Sequence, residues 1–150
     1  MTTSDEKVLL RCRACRTLNR VAEQRLREGP ACGKCRRILE FPTRPVEVTD
    51  ETFGPEVFDW AGVVLVEFWA ASCNICRLIE PLLQSLAYTK AGRVKIVKVN
   101  IERELSLANR FMIRGSPSIL VYKNGKLVDE IHGALPIQQM EQWIESAISR

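Results

Sequence analysis

No apolar run in this sequence is long enough to cross a bilayer. The densest, Ala61 to Ala71, is broken by Glu67 and falls far short of the roughly 20 residues that a membrane-spanning helix needs. The opening Met-Thr-Thr-Ser-Asp-Glu-Lys has neither a basic segment nor an apolar one, so no secretory signal is expected, and a cytoplasmic, reducing location is. There is no internal repeat and no low-complexity segment. Histidine is almost missing: His132 stands alone and is read as an ordinary strand or turn residue. Hydrophobic content of 46% and charged content of 27% exclude a disordered or fibrous chain.

What is present, and in excess, is cysteine: six in 150 residues. A chain of this length builds a core without disulfide staples, so the cysteines need another purpose. In a reducing compartment, paired thiols serve as metal ligands or catalysts more often than as structural bridges.

Charge is spread unevenly. Residues 1–41 hold ten Lys/Arg against five acids, a net +5, and the remainder carries −1. A basic module on a near-neutral body could attract anions. Eight of the ten are arginines scattered around a candidate metal site, however, and a solvated face is the plainer reading. Nucleic-acid binding is not expected.

The chain divides into residues 1–41, a connector at 42–46, and residues 47–150. The first part has two Cys-x-x-Cys pairs and few large apolar residues. The connector region, Phe-Pro-Thr-Arg-Pro-Val at 41–46, holds two prolines within four positions and favours an extended path. The pattern beyond it predicts a strand at 46–48, a helix capped by Thr52 and reaching Trp60, and a doubly buried strand at 63–69. It then predicts a helix from Cys73 to about Tyr88, a strand at 93–100 and a short helix at 103–110. Strands at 117–122 and 126–131 flank an Asn124-Gly125 turn, and a last helix opens at Pro136 with Ile137, Met140, Ile144 and Ile148 on one stripe. This order, βαβαβαββα, predicts an α/β sandwich with helices on both faces of a central mixed sheet.

Cys12-x-x-Cys15 and Cys32-x-x-Cys35, sixteen residues apart, have the spacing of a four-cysteine structural zinc site. Each pair aims two sulfurs at one ion, and Gly33 eases the tight second knuckle. Four thiolates close the coordination shell, so one structural Zn2+ is expected rather than a catalytic ion. With so few apolar residues, the module would draw most of its folding free energy from the metal. Two disulfides, or free buried thiols, are the alternatives.

Cys73-Asn74-Ile75-Cys76 lies where a buried strand gives way to a helix. Unpaired amides at a helix N-terminus favour a thiolate at Cys73, and Cys76, one turn further in, is placed to resolve a mixed disulfide. Glu67 interrupts the buried strand. Desolvation would raise its pKa and suit it to accept the Cys76 proton.

Residues 65–81, LVEFWAASCNICRLIEP, and 113–125, IRGSPSILVYKNG, resemble the active-site segment and the cis-proline strand of thioredoxins. With the four-cysteine module in front, the whole chain resembles the zinc-containing bacterial thioredoxins of the thioredoxin-2 type. The resemblance implies a thioredoxin fold with an N-terminal zinc-ribbon-like module. It also implies a protein-disulfide reductase that acts on protein disulfides, takes electrons from a thioredoxin reductase and works as a monomer. Cys73 is similar to the family's nucleophile and Cys76 to its resolving thiol. Trp69 resembles the tryptophan beside the disulfide, Pro117 the cis-proline of the substrate groove, and Pro81 the proline within the active-site helix. Gly133 matches a glycine after the last strand. Glu67 stands where the family has an aspartate, and Lys98 matches a lysine near that carboxylate.

Around the dithiol, Ser72, Asn74, Ile75, Gly115 and Ser116 occupy substrate-binding positions. Three of these depart from the pattern: Asn74-Ile75 replaces Gly-Pro, Ser72 replaces tryptophan, and Ser116 replaces Ile or Thr. Without a proline at 75, a weaker reductant is expected, and Ser72 removes apolar surface where a reductase docks. The competing readings are a less reducing isomerase or oxidant, and a binding or chaperone-like module with a vestigial dithiol. Cys73, Cys76, Trp69 and Pro117 together argue against the latter.

Overall fold

The computed structural model describes residues 7–133 and 135–149; residues 1–6 of the expected module and residue 150 of the expected domain lie outside it. Ten regular elements follow one another: β1 (Lys7–Arg11), β2 (Leu18–Ala22), β3 (Val46–Glu47), β4 (Val63–Trp69), α1 (Asn74–Thr89), β5 (Val94–Asn100), α2 (Leu105–Arg110), β6 (Ser118–Lys123), β7 (Lys126–His132) and α3 (Ile137–Ile148). A 3₁₀ turn at Glu23–Glu28 follows β2, and a π-type turn at Gly54–Phe58 precedes β4.

Five strands form the main sheet in the order β3-β5-β4-β6-β7. β3, β5 and β4 run parallel, and β6 and β7 are antiparallel. The β6–β7 hairpin closes through Asn124 and Gly125, whose φ of 52° and 82° suit the two-residue turn that matches strand twist. A Cβ on Gly125 would come within 2.7 Å of the Phe58 carbonyl oxygen, so glycine is required there twice over.

Side chains alternate along each strand, and the two faces of the sheet are covered differently. Leu65, Ile96 and Ile119 face Ile79, Leu83 and Leu86 of α1 and Met140 and Ile144 of α3. Val64, Val66, Phe68, Val97 and Val99 face the other way, toward Phe53, Val57, Trp60 and Leu107. That second cluster runs without a break into the N-terminal module, whose Leu10, Val21, Leu26 and Leu39 belong to it.

The module is thus built on a β1–β2 hairpin that buries Leu10 and Val21, with Leu26 and Leu39 beyond it, against the domain and leaves Leu9, Leu18 and Ile38 exposed. Leu26 packs so closely on Gly92 that a Cβ there would meet Leu26 Cδ1 at 2.5 Å. Phe41 of the connector meets Trp60 edge-on, ring centroids 5.7 Å apart. Glu56 reaches in both directions: it accepts from Arg13, between the first two cysteines, and from the wholly buried Lys95 of β5. Lys95 also lies 3.9 Å from the Trp60 ring centroid.

Most boundaries lie within one or two residues of the sequence pattern, and two differ in kind. The helix expected from Thr52 shrinks to the π-type turn Gly54–Phe58 with Phe53 at its cap, because Thr52 is used in the preceding turn, where the Thr49 carbonyl accepts from Thr52 and Phe53 and the Thr49 N–H bonds Thr52 Oγ1 at 2.9 Å. Pro55 has no N–H to donate, and the segment widens so that Asp59 N–H bonds Gly54 O. At the other end Pro136 is the cap of α3, not its first residue. α1 runs straight through Pro81, whereas β1 and β2 had no clear signal in their mixed sequence. No helix among the described residues is long and apolar enough to cross a membrane.

Candidate active site and metal centre

Strand β4 ends at Trp69, and four residues later Cys73 caps α1. Its backbone is extended (φ −90°, ψ 110°), and its Sγ receives the Cys76 N–H at 3.0 Å. A sulfur in that place receives the positive end of the helix dipole as well as a direct hydrogen bond, and both favour a thiolate. Cys73 and Cys76 are joined by a disulfide, with Cα atoms 5.3 Å apart. Cys73 is partly exposed and Cys76 only 4% exposed, so an approaching sulfur meets Cys73 first.

The loop before Cys73 is held by Glu102, 30 residues beyond Ser72. One carboxylate oxygen accepts from Ala71 N–H and the other from Ser72 Oγ, each at 3.0 Å. Nothing in sequence spacing pointed to this residue. Asn74 accepts a bond from Arg77, and Ile75 is half-buried. The Ser116–Pro117 peptide is cis; Pro117 is buried, and its carbonyl accepts the N–H of Gly133 at 2.9 Å. Gly115 is exposed, and its carbonyl accepts from Ser118 Oγ. His132, opposite Ser118 on β7, has one ring nitrogen 3.1 Å from Ser118 Oγ and the other 2.9 Å from Glu130.

Glu67 shares its face of β4 with Leu65, which packs on α1, so its carboxylate lies on the side of the sheet that α1 covers. It is 0% exposed, and neither oxygen has a hydrogen-bond partner among the described residues. Burial pushes its pKa up to about 8, opposed by the Lys98 charge and reinforced by Glu80 and Glu47. Lys98 is the register neighbour of Glu67 on β5, yet its ammonium bonds Glu80 of α1 at 2.6 Å. It also lies 4.5 Å from the Trp69 ring centroid. Glu80 and Glu47 had no role in the sequence pattern; the three-dimensional crossing of α1 over β3 and β5 brings them in.

The other four cysteines meet in the N-terminal module. Arg16 and Arg36, each just after a Cys-x-x-Cys pair, have φ of 69° and 71°, and each donates its N–H to the first cysteine's carbonyl. The two knuckles thus turn alike and present their sulfurs to each other. Cys12 and Cys35 sulfurs are 3.6 Å apart, as are those of Cys15 and Cys32, and all four lie within 4.8 Å. Zinc–sulfur bonds of about 2.3 Å set tetrahedral sulfurs about 3.8 Å apart, so the cage fits the ion.

The thiols also need a cation. Backbone N–H groups of Cys35 and Lys34 draw Cys32 down to about 6, with help from Asn19. The Arg37 N–H acts to lower Cys35 too, but burial and the three neighbouring sulfurs override it and push that thiol up to about 11. Four such groups do not ionise together without a positive ion among them. Asn19 ties β2 to the second knuckle by donating toward Cys32 Sγ and accepting from Gly33 N–H.

A helix-capping dithiol and a cis-proline, on a five-stranded sheet with helices on both faces, define a disulfide oxidoreductase. The thioredoxin family profile matches residues 44–146, and the profile described as "Thioredoxin 2, N-terminal", a zinc ribbon, matches residues 11–37. The chain belongs to the thioredoxin family. It is 38% identical to Thioredoxin 1 of Nostoc sp. over 99 residues, which are 66% of this chain and 92% of that protein. It is 36% identical to thioredoxin of Chlorobaculum thiosulfatiphilum over 102 residues, 68% of this chain and 94% of that one. Among solved structures, a mutant thioredoxin from Halobacterium salinarum NRC-1 superposes with a TM-score of 0.63 at 27% identity, covering 72% of this chain and 94% of that one. The protein is accordingly a thiol–disulfide oxidoreductase with an N-terminal zinc-binding module.

Proposed function

We propose that the protein reduces protein disulfides in the cytoplasm as a monomer, with electrons from a thioredoxin reductase and one structural zinc held by Cys12, Cys15, Cys32 and Cys35. Residues 1–41 form the zinc module, 42–46 the connector and 47–150 the catalytic domain. The observation that carries this reading is the Cys73 sulfur at the α1 cap, bonded by the Cys76 N–H and more exposed than the sulfur that resolves it.

The Cys73 thiolate attacks one sulfur of a target disulfide. A Cys73–target bond forms, the target's own S–S bond breaks, and its second sulfur leaves as a thiolate that takes a proton from solvent. Cys76 then gives its proton to Glu67 and attacks Cys73 sulfur. The Cys73–Cys76 disulfide forms, and the first target sulfur leaves and is protonated. Two electrons have passed from the dithiol to the target, and the product is the bonded pair present in this structure. Lys98, over the Trp69 ring and beside Glu67 in the strand register, supplies the positive charge near that carboxylate. Pro117, Gly115 and Ser116, with Ser72, Asn74 and Ile75, form the edge on which the target chain lies. The zinc, when bound, neutralises the four thiolates and holds the two knuckles together; it takes no part in the exchange.

Trapping tests this directly. A Cys76→Ser variant mixed with a disulfide-bonded protein accumulates a mixed disulfide through Cys73, separable on a non-reducing gel. If the adduct forms equally in a Cys73→Ser variant, Cys73 is not the nucleophile. Titration against a glutathione buffer separates the directions of work: a potential near about −270 mV supports reduction, and one near roughly −200 mV or above supports isomerase or oxidant work.

A further inference from the structure

We propose that Glu80 is a positioning residue of the exchange reaction, holding the Lys98 ammonium off Glu67 and so leaving Glu67 free to take the Cys76 proton. The proposal rests on the reading of Glu67 as that proton acceptor.

The arrangement is specific. Glu67 and Lys98 face each other across β4 and β5, on the face that α1 covers, and a buried carboxylate beside an ammonium would ordinarily bond to it. Here Lys98 is 12% exposed and its Nζ is turned to Glu80 Oε1 at 2.6 Å, with Glu47 Oε2 further off at 4.0 Å. The second Glu80 oxygen is occupied as well, accepting from Gln84 Nε2 at 3.2 Å. Both oxygens of Glu80 are therefore tethered, and both oxygens of Glu67 are without a partner among the described residues.

Glu80 lies four residues after Cys76, one turn along α1, so the helix that carries the resolving sulfur also carries the counter-ion that keeps Lys98 engaged. The charged groups that act on Glu67 are Lys98 from β5, Glu80 from α1 and Glu47 from β3; its partner on β6 is the apolar Ile119. Glu47, Glu80, Gln84 and Lys98 also line a solvent-open groove of about 550 Å3, so the Lys98–Glu80 pair sits between the buried Glu67 side of the sheet and water.

Removing the Glu80 charge acts on Glu67 in one direction by two routes. It takes away a like charge, and it releases Lys98 to move toward Glu67; each makes the carboxylate hold its proton less tightly. The proton balance is simple. Cys76–SH and Glu67 carboxylate become Cys76 thiolate and Glu67 carboxylic acid, and the acid then gives the proton to the departing target thiolate or to solvent. A Glu67 that ionises too readily takes the proton poorly.

The test uses the zinc-loaded full chain. The Glu67 titration is followed by its carboxylic-acid infrared band, assigned by difference from Glu67→Gln, and in parallel by the pH profile of the reduction rate of a disulfide-bonded protein. In Glu80→Gln the midpoint falls by about one unit, tenfold in proton affinity, and Glu80→Asp restores part of it. In a Lys98→Met background the Glu80→Gln shift shrinks, because no ammonium is left to release. An unmoved midpoint in Glu80→Gln, or an equal shift with and without Lys98, overturns the proposal. A pH profile that Glu67→Gln leaves unchanged instead overturns the reading of Glu67 as proton acceptor.

Discussion

The chain uses Cys-x-x-Cys three times, and the same spacing ends in two different chemistries. At Cys12–Cys15 and Cys32–Cys35 the next residue is an arginine in the left-handed region, and the chain turns back on itself. Two such knuckles face each other and pool four sulfurs. At Cys73–Cys76 the next residue continues an α-helix, the two sulfurs have no facing pair, and they bond to each other. Spacing sets how near two sulfurs come. What the backbone does after the second cysteine decides whether they wait for a metal or for another sulfur.

The largest effect that sharpens this contrast is on turnover. Cys73→Ser reduces catalysed disulfide reduction to the rate of dithiothreitol alone, with zinc content unchanged. Cys32→Ser abolishes zinc binding and leaves the Cys73–Cys76 exchange measurable in the same assay. Equal loss of turnover in both variants would erase the distinction between the two sites.

Metal removal comes next. Structural zinc contributes about 10–16 kcal/mol of apparent folding free energy in small zinc peptides. A strong chelator should therefore unfold the module and uncover Trp60, which is 8% exposed beneath it. The expected signs are a red shift in tryptophan emission and loss of hydrogen-exchange protection on β1 and β2 but not on β4. A module that stays protected without zinc would show that its packing on the domain suffices.

The buried carboxyl gives a third, smaller effect with a defined sign. Folded, Glu67 keeps its proton to about 8, against an ordinary 4.5. The unfolded chain loses that proton first, so unfolding releases it between those values and stability falls as pH rises through the window. The contribution is on the order of 3–5 kcal/mol at its fullest. Urea denaturation at pH 5 and pH 8 should show Glu67→Gln gaining stability relative to the parent at the higher pH. A gain at pH 5 instead would contradict the assigned direction.

The link between the regions is tested by Glu56→Ala, which strands the buried Lys95 and releases Arg13 from the domain. A loss of about 3 kcal/mol is expected, measured as a lower denaturation midpoint at constant slope. Smallest is Ile75→Pro, which stiffens the first turn of α1. It should lower the potential by roughly 30 mV, a tenfold change in the exchange equilibrium. No shift would acquit the Asn74-Ile75 dipeptide.

Much of this was legible from residue order. The strands at 63–69 and 93–100 and the helix after Cys73 announce themselves by apolar patterning, because each buries a continuous stretch against one core. The Asn124-Gly125 hairpin follows from local backbone sterics. The cysteine pairs declare their chemistry because ligand spacing and helix position are local properties.

What the sequence by itself determined is therefore the set of elements, the two groups of sulfurs and the candidate carboxylate at Glu67. Tertiary structure alone decided three things: that Glu102 anchors the loop before Cys73, that Lys98 answers to Glu80 rather than to Glu67, and that the module's apolar residues complete the domain's own core. Each joins groups far apart in the chain and depends on how helices cross strands. Residue order records which groups exist, and only the packed sheet sets which of them share a few ångströms.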